Sequence, residues 1–165
     1  MIAISLLSKN EMFVVREIAQ ITWPITYREI LSSEQLDYMF EWMYNLETLQ
    51  NQVEEGQLFY VLKENGKPLG FIGIELFSSE KNDLKIQKIY VLPDAQGKGV
   101  GKKLIEKAIE IAQEKGIEQV ILNVNRFNKA VSFYQKLGFK ISSEVNIDIG
   151  KGYLMEDYIM NYTIK

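Results

Sequence analysis

Six residues, Gln96-Gly97-Lys98-Gly99-Val100-Gly101, follow a strand-like run, Ile89-Tyr90-Val91-Leu92, and open a helical pattern that begins near Lys102. Their types suit an anion. A glycine has no Cβ to hold a ligand away and accepts positive φ, so three of them let successive backbone N–H groups converge on one point. The helix that follows adds unpaired amides and a partial positive charge at its start. Lys98, Lys102 and Lys103 bring mobile countercharge to the same turn. A phosphate or pyrophosphate is the ligand expected here, and spacing narrows which one. A P-loop needs Gly, four residues, then Gly-Lys-Ser/Thr; counting back from Gly101 lands on Gln96, and Lys103 stands where the hydroxyl belongs. The dinucleotide fingerprint needs glycines at relative positions 1, 3 and 6, and from Gly97 the sixth position is Lys102. Both fail, and Gln-x-x-Gly-x-Gly remains.

What the chain lacks excludes more chemistry than what it holds. It has no cysteine and no histidine. That removes the thiol nucleophile, the disulfide framework, the commonest metal ligand and every Ser-His-Asp or Cys-His mechanism. No metal site is expected. Net charge is −3 with both signs interspersed, which gives no electrostatic case for nucleic acid. No apolar run approaches the ~20 residues of a membrane span, so no membrane partner is expected. The first residues, Met1-Ile2-Ala3-Ile4-Ser5, lack a basic and then apolar leader pattern. With the absent cysteines, this makes a cytoplasmic location the expectation. A chain of 165 residues is the size of one domain, able to bury about 70 % of its unfolded surface.

The elements that must position the glycine loop follow from periodicity. Residues 2–7 read as a short strand, and Ser8 or Asn10 can cap a helix carrying Phe13, Val14, Ile18, Ala19 and Ile21, which Trp23-Pro24 is expected to break. Ser32-x-x-Gln35 spells a capping box before the apolar stripe Leu36, Met39, Phe40, Met43 and Tyr44. A third short helix runs over 46–55. Residues 58–62 and 69–77 are strand-like and joined by Glu64-Asn65-Gly66-Lys67, a strong hairpin signal. A fourth strand at 84–92 contains a parity change: Leu84 and Ile86 are apolar on even positions, Ile89 and Val91 on odd ones. Side chains alternate strictly along a strand, so one extra residue, a β-bulge, is expected near Gln87-Lys88. The loop helix runs to Glu114, Gly116 closes it, and 120–124 is the next strand, which a crossover of this length makes parallel to the fourth. Asn128 can cap a short helix to Leu137, and two strand-like runs flank a turn at 149–152.

This order, with Ile89-Tyr90-Val91-Leu92-Pro93 leading into the loop and Asn128-Lys129-Ala130 followed by Phe133-Tyr134-Gln135-Lys136-Leu137-Gly138-Phe139, resembles the GNAT superfamily of acyl-CoA-dependent N-acyltransferases. The resemblance covers essentially the whole chain. It implies a mixed α/β fold, one GNAT-like domain over 1–165, with a mostly antiparallel central sheet, one parallel and splayed strand pair, and flanking helices. Trp23-x-x-Thr26-Tyr27 and Tyr153-Leu154-Met155-Glu156-Asp157-Tyr158 are similar to segments of bacterial spermidine/spermine N-acetyltransferases.

The resemblance also implies roles. Acetyl-CoA is the co-substrate, its pyrophosphate held by backbone amides of Gln96, Gly97, Lys98, Gly99, Val100 and Gly101 with Lys102 beside them. Its pantetheine arm pairs with the exposed edge at Ile89, Tyr90 and Val91, and a backbone N–H near Tyr90 polarises the thioester carbonyl. Asn128 either contacts the CoA arm or only caps its helix. Tyr134 stands where a family tyrosine protonates the departing thiolate, or else is a core residue beside Phe133. The general base is open, because Lys85, Gln87 and Lys88 occupy the fourth strand where many relatives carry a carboxylate. Glu75, inside an apolar run, is the best carboxylate; a water relay through Tyr27, Tyr90 or Glu75 is the alternative. Absence of cysteine makes transfer direct, within a ternary complex. The acceptor is a small-molecule primary amine, with a polyamine favoured by Trp23, Tyr27 and Glu29 and by Asp148, Glu156 and Asp157 in the tail. A non-catalytic acyl-CoA sensing module and a peptide N-terminal acetyltransferase are the competing readings. Members of the superfamily are often dimers.

Overall fold

The structure, a computed structural model, describes residues 1–78 and 81–164. Its centre is a seven-stranded sheet in the order β1-β2-β3-β4-β5-β7-β6, with β1 at Ile2–Leu6, β2 at Leu58–Glu64, β3 at Lys67–Leu76, β4 at Asp83–Val91, β5 at Gln119–Asn125, β6 at Lys140–Asp148 and β7 at Leu154–Thr163. All pairs are antiparallel except β4 with β5. The Asn65-Gly66 hairpin is present, both residues at positive φ, which Asn tolerates and Gly favours.

Two cores lie on the two faces of the sheet. On one face the loop helix α4, Val100–Glu114, buries Leu104, Ile105, Ala108 and Ala112 against Ile72, Ile74, Leu84, Ile86, Val120 and Leu122. On the other face α1 at Met12–Tyr27, α2 at Ser33–Tyr44 and α3 at Leu46–Glu54 bury Met12, Trp23, Met39 and Tyr44 against Phe59, Val61 and Phe71. A short helix α5, Ala130–Lys136, follows β5.

The expected break at Trp23-Pro24 does not occur. Helix α1 runs through Pro24 to Tyr27, and Pro24 O accepts a bond from Arg28 N at 3.0 Å. A proline inside a helix costs ~3 kcal/mol, about what full burial of one large side chain returns. Here Ile18, Ala19, Thr22, Trp23 and Tyr27 are all buried on one stripe, so packing wins. The consequence is positional, because the continued turn carries Tyr27 to the sheet.

The bulge falls where the parity change put it. Gly73 pairs with Lys88 and Ile74 with Ile86, leaving Gln87 as the extra residue on β4. The parallel pairing of β4 with β5 stops at Ile86 and Leu122, so beyond the bulge the two strands part.

Candidate active site

A cleft of about 820 Å³ opens where β4 and β5 separate. Tyr27, Glu29, Ile89, Tyr90, Val91, Gln96, Gly97, Gly99, Val100, Gly101, Lys102, Asn128 and Tyr134 all line it. Lys98, Trp23, Glu75 and Glu156 do not.

At one end lies the glycine loop. Gly97 and Gly99 hold φ of 85° and 77°, the left-handed region where a Cβ is strained, and Gly99 is the residue before the first turn of α4. Among the described residues, the amides of Gly97, Gly99, Val100, Gly101 and Lys102 have no acceptor within the protein. They are the free donors that a helix start leaves, concentrated by two left-handed glycines. Close packing holds them in place. A Cβ on Gly101 would stand 3.2 Å from Phe133 Cζ, and one on Gly70 of β3 would stand 2.9 Å from Tyr90 O and 3.2 Å from Val100 Cγ1. This bare stretch of β3 lets the loop and the edge of β4 come together; Gly70 carries no motif that marks it.

The wedge itself is built from backbone. Leu92 N donates to Leu69 O at 2.8 Å, so by antiparallel alternation Tyr90 also turns its amide to β3, while Ile89 and Val91 turn theirs to the open side. The amides free for a pantetheine arm are thus those on either side of Tyr90, within the edge at Ile89 to Val91. The Tyr90 side chain instead points to the α1 face, where its hydroxyl lies 3.0 Å from that of Tyr27. Burial pushes both phenols above their ordinary range, so both stay protonated in any working buffer.

Tyr134 projects from α5 into the cleft wall, its ring packed on Phe133 and Phe139 at centroid distances of 5.4 and 5.9 Å. Desolvation raises its phenol too. Such a phenol remains a proton donor, and a thiolate formed in the same dry site is raised likewise. Asn128 serves its turn through one atom: Oδ1 accepts from Ala130 N at 2.9 Å, leaving the amide NH₂ for the cleft. Its two expected roles are therefore compatible.

Other expected residues lie elsewhere. Trp23 is 1 % exposed, packed behind Tyr27 and Tyr90 at 4.8 and 6.1 Å, so it shapes the wall without forming it. Glu156 is exposed off the cleft, and its backbone O accepts from Arg126 N. Glu75 sits opposite Lys85 and accepts from Gln87 Nε2 at 2.7 Å. It braces the bulge from outside the cleft. The charge in that apolar strand is explained by a partner on the bulge and not by an active-site position.

Three residues were not singled out as site residues by motif. Phe127 and Phe133 present partly exposed rings on the cleft wall. Lys88, at the bulge, is buried on the α-helical face beneath Tyr44 and Phe59, with Nζ 2.9 Å from Gln52 Oε1. The parity change was the one signal that could have marked Lys88; nothing in the sequence marks the aromatics.

The free amides, left-handed glycines and open strand edge fit the pyrophosphate and pantetheine of coenzyme A. Residues 15–139 match the acetyltransferase (GNAT) family. The chain is 31 % identical over 146 residues to a spermidine N(1)-acetyltransferase of Thermoplasma acidophilum, a match covering 85 % of this chain and 89 % of that protein. It is 39 % identical over 108 residues to an uncharacterized N-acetyltransferase of Methanocaldococcus jannaschii, but spans only 44 % of that longer relative. Its structure matches the crystal structure of the PaiA N-acetyltransferase from Thermoplasma acidophilum in complex with coenzyme A, with a TM-score of 0.83, 28 % identity and 99 % of both chains covered. Loop, wedge and relatives agree, and the chain belongs to the acetyltransferase (GNAT) family as an acetyl-CoA-dependent N-acetyltransferase.

Proposed function

We propose that the protein, working in the cytoplasm, acetylates a primary amine of a small cationic molecule of polyamine type, by direct transfer in a ternary complex. The parting of β4 from β5 at the bulge carries this reading. It places the free amides of the glycine loop at one end and Tyr134 on the wall. Toward α1 it leaves room beside Tyr27 and Tyr90 for an acceptor. Acetyl-CoA supplies the activated acetyl group. The chain supplies an anion cradle at residues 96–102, strand-edge donors at Ile89 and Val91, and a phenolic acid at Tyr134. Without cysteine there is no thiol to carry the acetyl group between half-reactions.

Support for a polycation is narrower than the sequence suggested. Of the residues expected to attract it, only Tyr27 and Glu29 line the cleft. The Thermoplasma acidophilum relative named for spermidine adds weight. Among the described residues no helix is long and apolar enough to cross a membrane, which accords with the location proposed.

Release of CoA, followed with a thiol reagent, tests the activity. Spermidine, spermine and a neutral-bodied monoamine test the acceptor. A polycation-selecting site predicts a lower KM for the polyamines that rises with salt, as exposed charge attraction is screened. An equal or higher kcat/KM for the monoamine, or a polyamine KM indifferent to salt, sinks the acceptor class. No CoA release with any amine favours the sensing-module reading.

A further inference from the structure

An ammonium must lose a proton before it can attack a thioester, and neither Glu75 of β3 nor Asp83 of β4 lines the cleft. A buried carboxylate with one oxygen unpartnered among the described residues lies on β7 instead. Leu122 and Val124 of β5 pack in the α4-side core, so Asn123 and Asn125 turn to the α1 face, the face that Tyr90 occupies. Asp157 of β7 is the register partner of Asn125, which puts its carboxylate on that face as well. Tyr27 of α1 reaches the same face, where it meets Tyr90 and lines the cleft, while Asp157 lies behind the lining.

Asp157 is 4 % exposed, and its Oδ1 has no hydrogen-bond partner among the described residues. A buried carboxylate with an empty oxygen is costly unless something charged or proton-bearing comes to it. The groups facing it come from every neighbouring element. Lys85 on β4, Arg126 after β5 and Asn123 on β5 favour its ionised form, while burial, the larger influence, favours the protonated one. Burial chiefly, and the Asp157 charge as a lesser influence, make the Tyr27 phenol harder to ionise, although no hydrogen bond joins the two groups. Tyr27 is then hydrogen-bonded onward to Tyr90.

We propose that Asp157 is the terminal proton acceptor for the substrate ammonium, reached through the hydroxyl of Tyr27. This rests on the acetyl-transfer reading above. The substrate R–NH₃⁺ gives one proton to the Tyr27 oxygen as the Tyr27 O–H proton passes to a water on the empty Asp157 Oδ1, and that water gives one of its own protons to the carboxylate. The net products are R–NH₂, an intact phenol and a neutral carboxylic acid. The amine lone pair then forms the C–N bond as the C–S bond breaks. Tyr134 protonates the thiolate, and the surplus N–H proton of the product restores the Tyr134 phenol. Asp157 returns its proton to solvent after product leaves. The arrangement also explains why a carboxylate at this depth keeps one oxygen free: a filled oxygen would be a poorer proton acceptor.

Asp157→Asn keeps the shape and removes the basicity, and Tyr27→Phe removes the link. Both are assayed as the full chain for CoA release at pH 7, with spermidine and with an O-alkylhydroxylamine, whose nitrogen is already unprotonated at that pH. For spermidine, each variant should lose about 10²-fold or more in kcat, a general-base magnitude. With the hydroxylamine the loss should shrink to within about threefold. The residual spermidine rate of Asp157→Asn should climb nearly tenfold per pH unit toward pH 9, where free amine accumulates. Equal losses for both acceptors, or a wild-type spermidine rate in either variant, overturn the proposal while leaving the enzyme's activity standing. No turnover of either acceptor by the wild-type protein overturns the polyamine reading and this proposal with it.

Discussion

Lys88 sets burial against charge in a way that stability measurements can read. Its side chain is 6 % exposed, between the Tyr44 and Phe59 rings, with one hydrogen bond to Gln52 Oε1. Desolvation lowers its ammonium to about 8. An ordinary lysine titrates at ~10.4, so at 1.36 kcal/mol per unit the folded state bears a penalty of about 3 kcal/mol for keeping Lys88 charged. The sign follows from proton binding. Below pH 8 both states hold the proton and the penalty is complete. From pH 8 upward the unfolded chain holds it and the folded chain sheds it, so stability rises with pH. Tyr27, Tyr44, Tyr90 and Tyr134, all raised by burial, push the other way only once unfolded tyrosines ionise near pH ~10. The useful window is therefore pH 8 to 9.5.

Lys88→Met keeps the length and the apolar stem while deleting the charge. Losing the charged donor's bond to Gln52 costs about 1.5 kcal/mol, which leaves a gain of about 1.5 kcal/mol at pH 7. For a chain of this size that is roughly 3–6 °C in Tm. Between pH 8 and 9.5 Lys88 should add about 1.5 kcal/mol, of which the tyrosines take back about 0.6, so wild-type stability should rise by about 1 kcal/mol while the variant should not rise. Urea titrations at fixed ionic strength across this range measure both. A Met variant no more stable than wild type at pH 7, or wild-type stability that is flat or falling through the window, refutes a desolvated ammonium at this position.

Two further outcomes test the cleft. Gly99→Val places a branched Cβ on a left-handed residue beside the free amides and should weaken acetyl-CoA binding by at least tenfold in calorimetry, with far-UV circular dichroism unchanged; unchanged affinity puts the co-substrate elsewhere. Tyr134→Phe should lower kcat by roughly 10²-fold while the acetyl-CoA Kd stays within a fewfold. Wild-type turnover in that variant makes Tyr134 a packing residue.

The parts of this protein that could be read in the chain are those where one local rule acts alone. The bulge was legible because a strand tolerates no parity error, and one unmatched residue, Gln87, must then appear. The glycine loop was legible because φ near 80° admits few other residues. Pro24 was misread because two rules compete there: its local penalty was visible, whereas the burial of Trp23 and Tyr27 that outweighs it exists only in the folded sheet. Glu75 and Asp157 show the same limit more sharply. Both are carboxylates in apolar runs, and alternation alone cannot say which stands beside the parted strands. What separates them is strand order. Because β7 inserts between β5 and β6, Asp157 meets Asn125 beside the parted strands, while Glu75 on β3 meets Lys85 one strand behind them. Had the tail paired in chain order, with β6 against β5, Asp157 would lie one strand further from Tyr27. The charge that influences this phenol is thus a product of topology, a long-range choice that no window of neighbouring residues encodes.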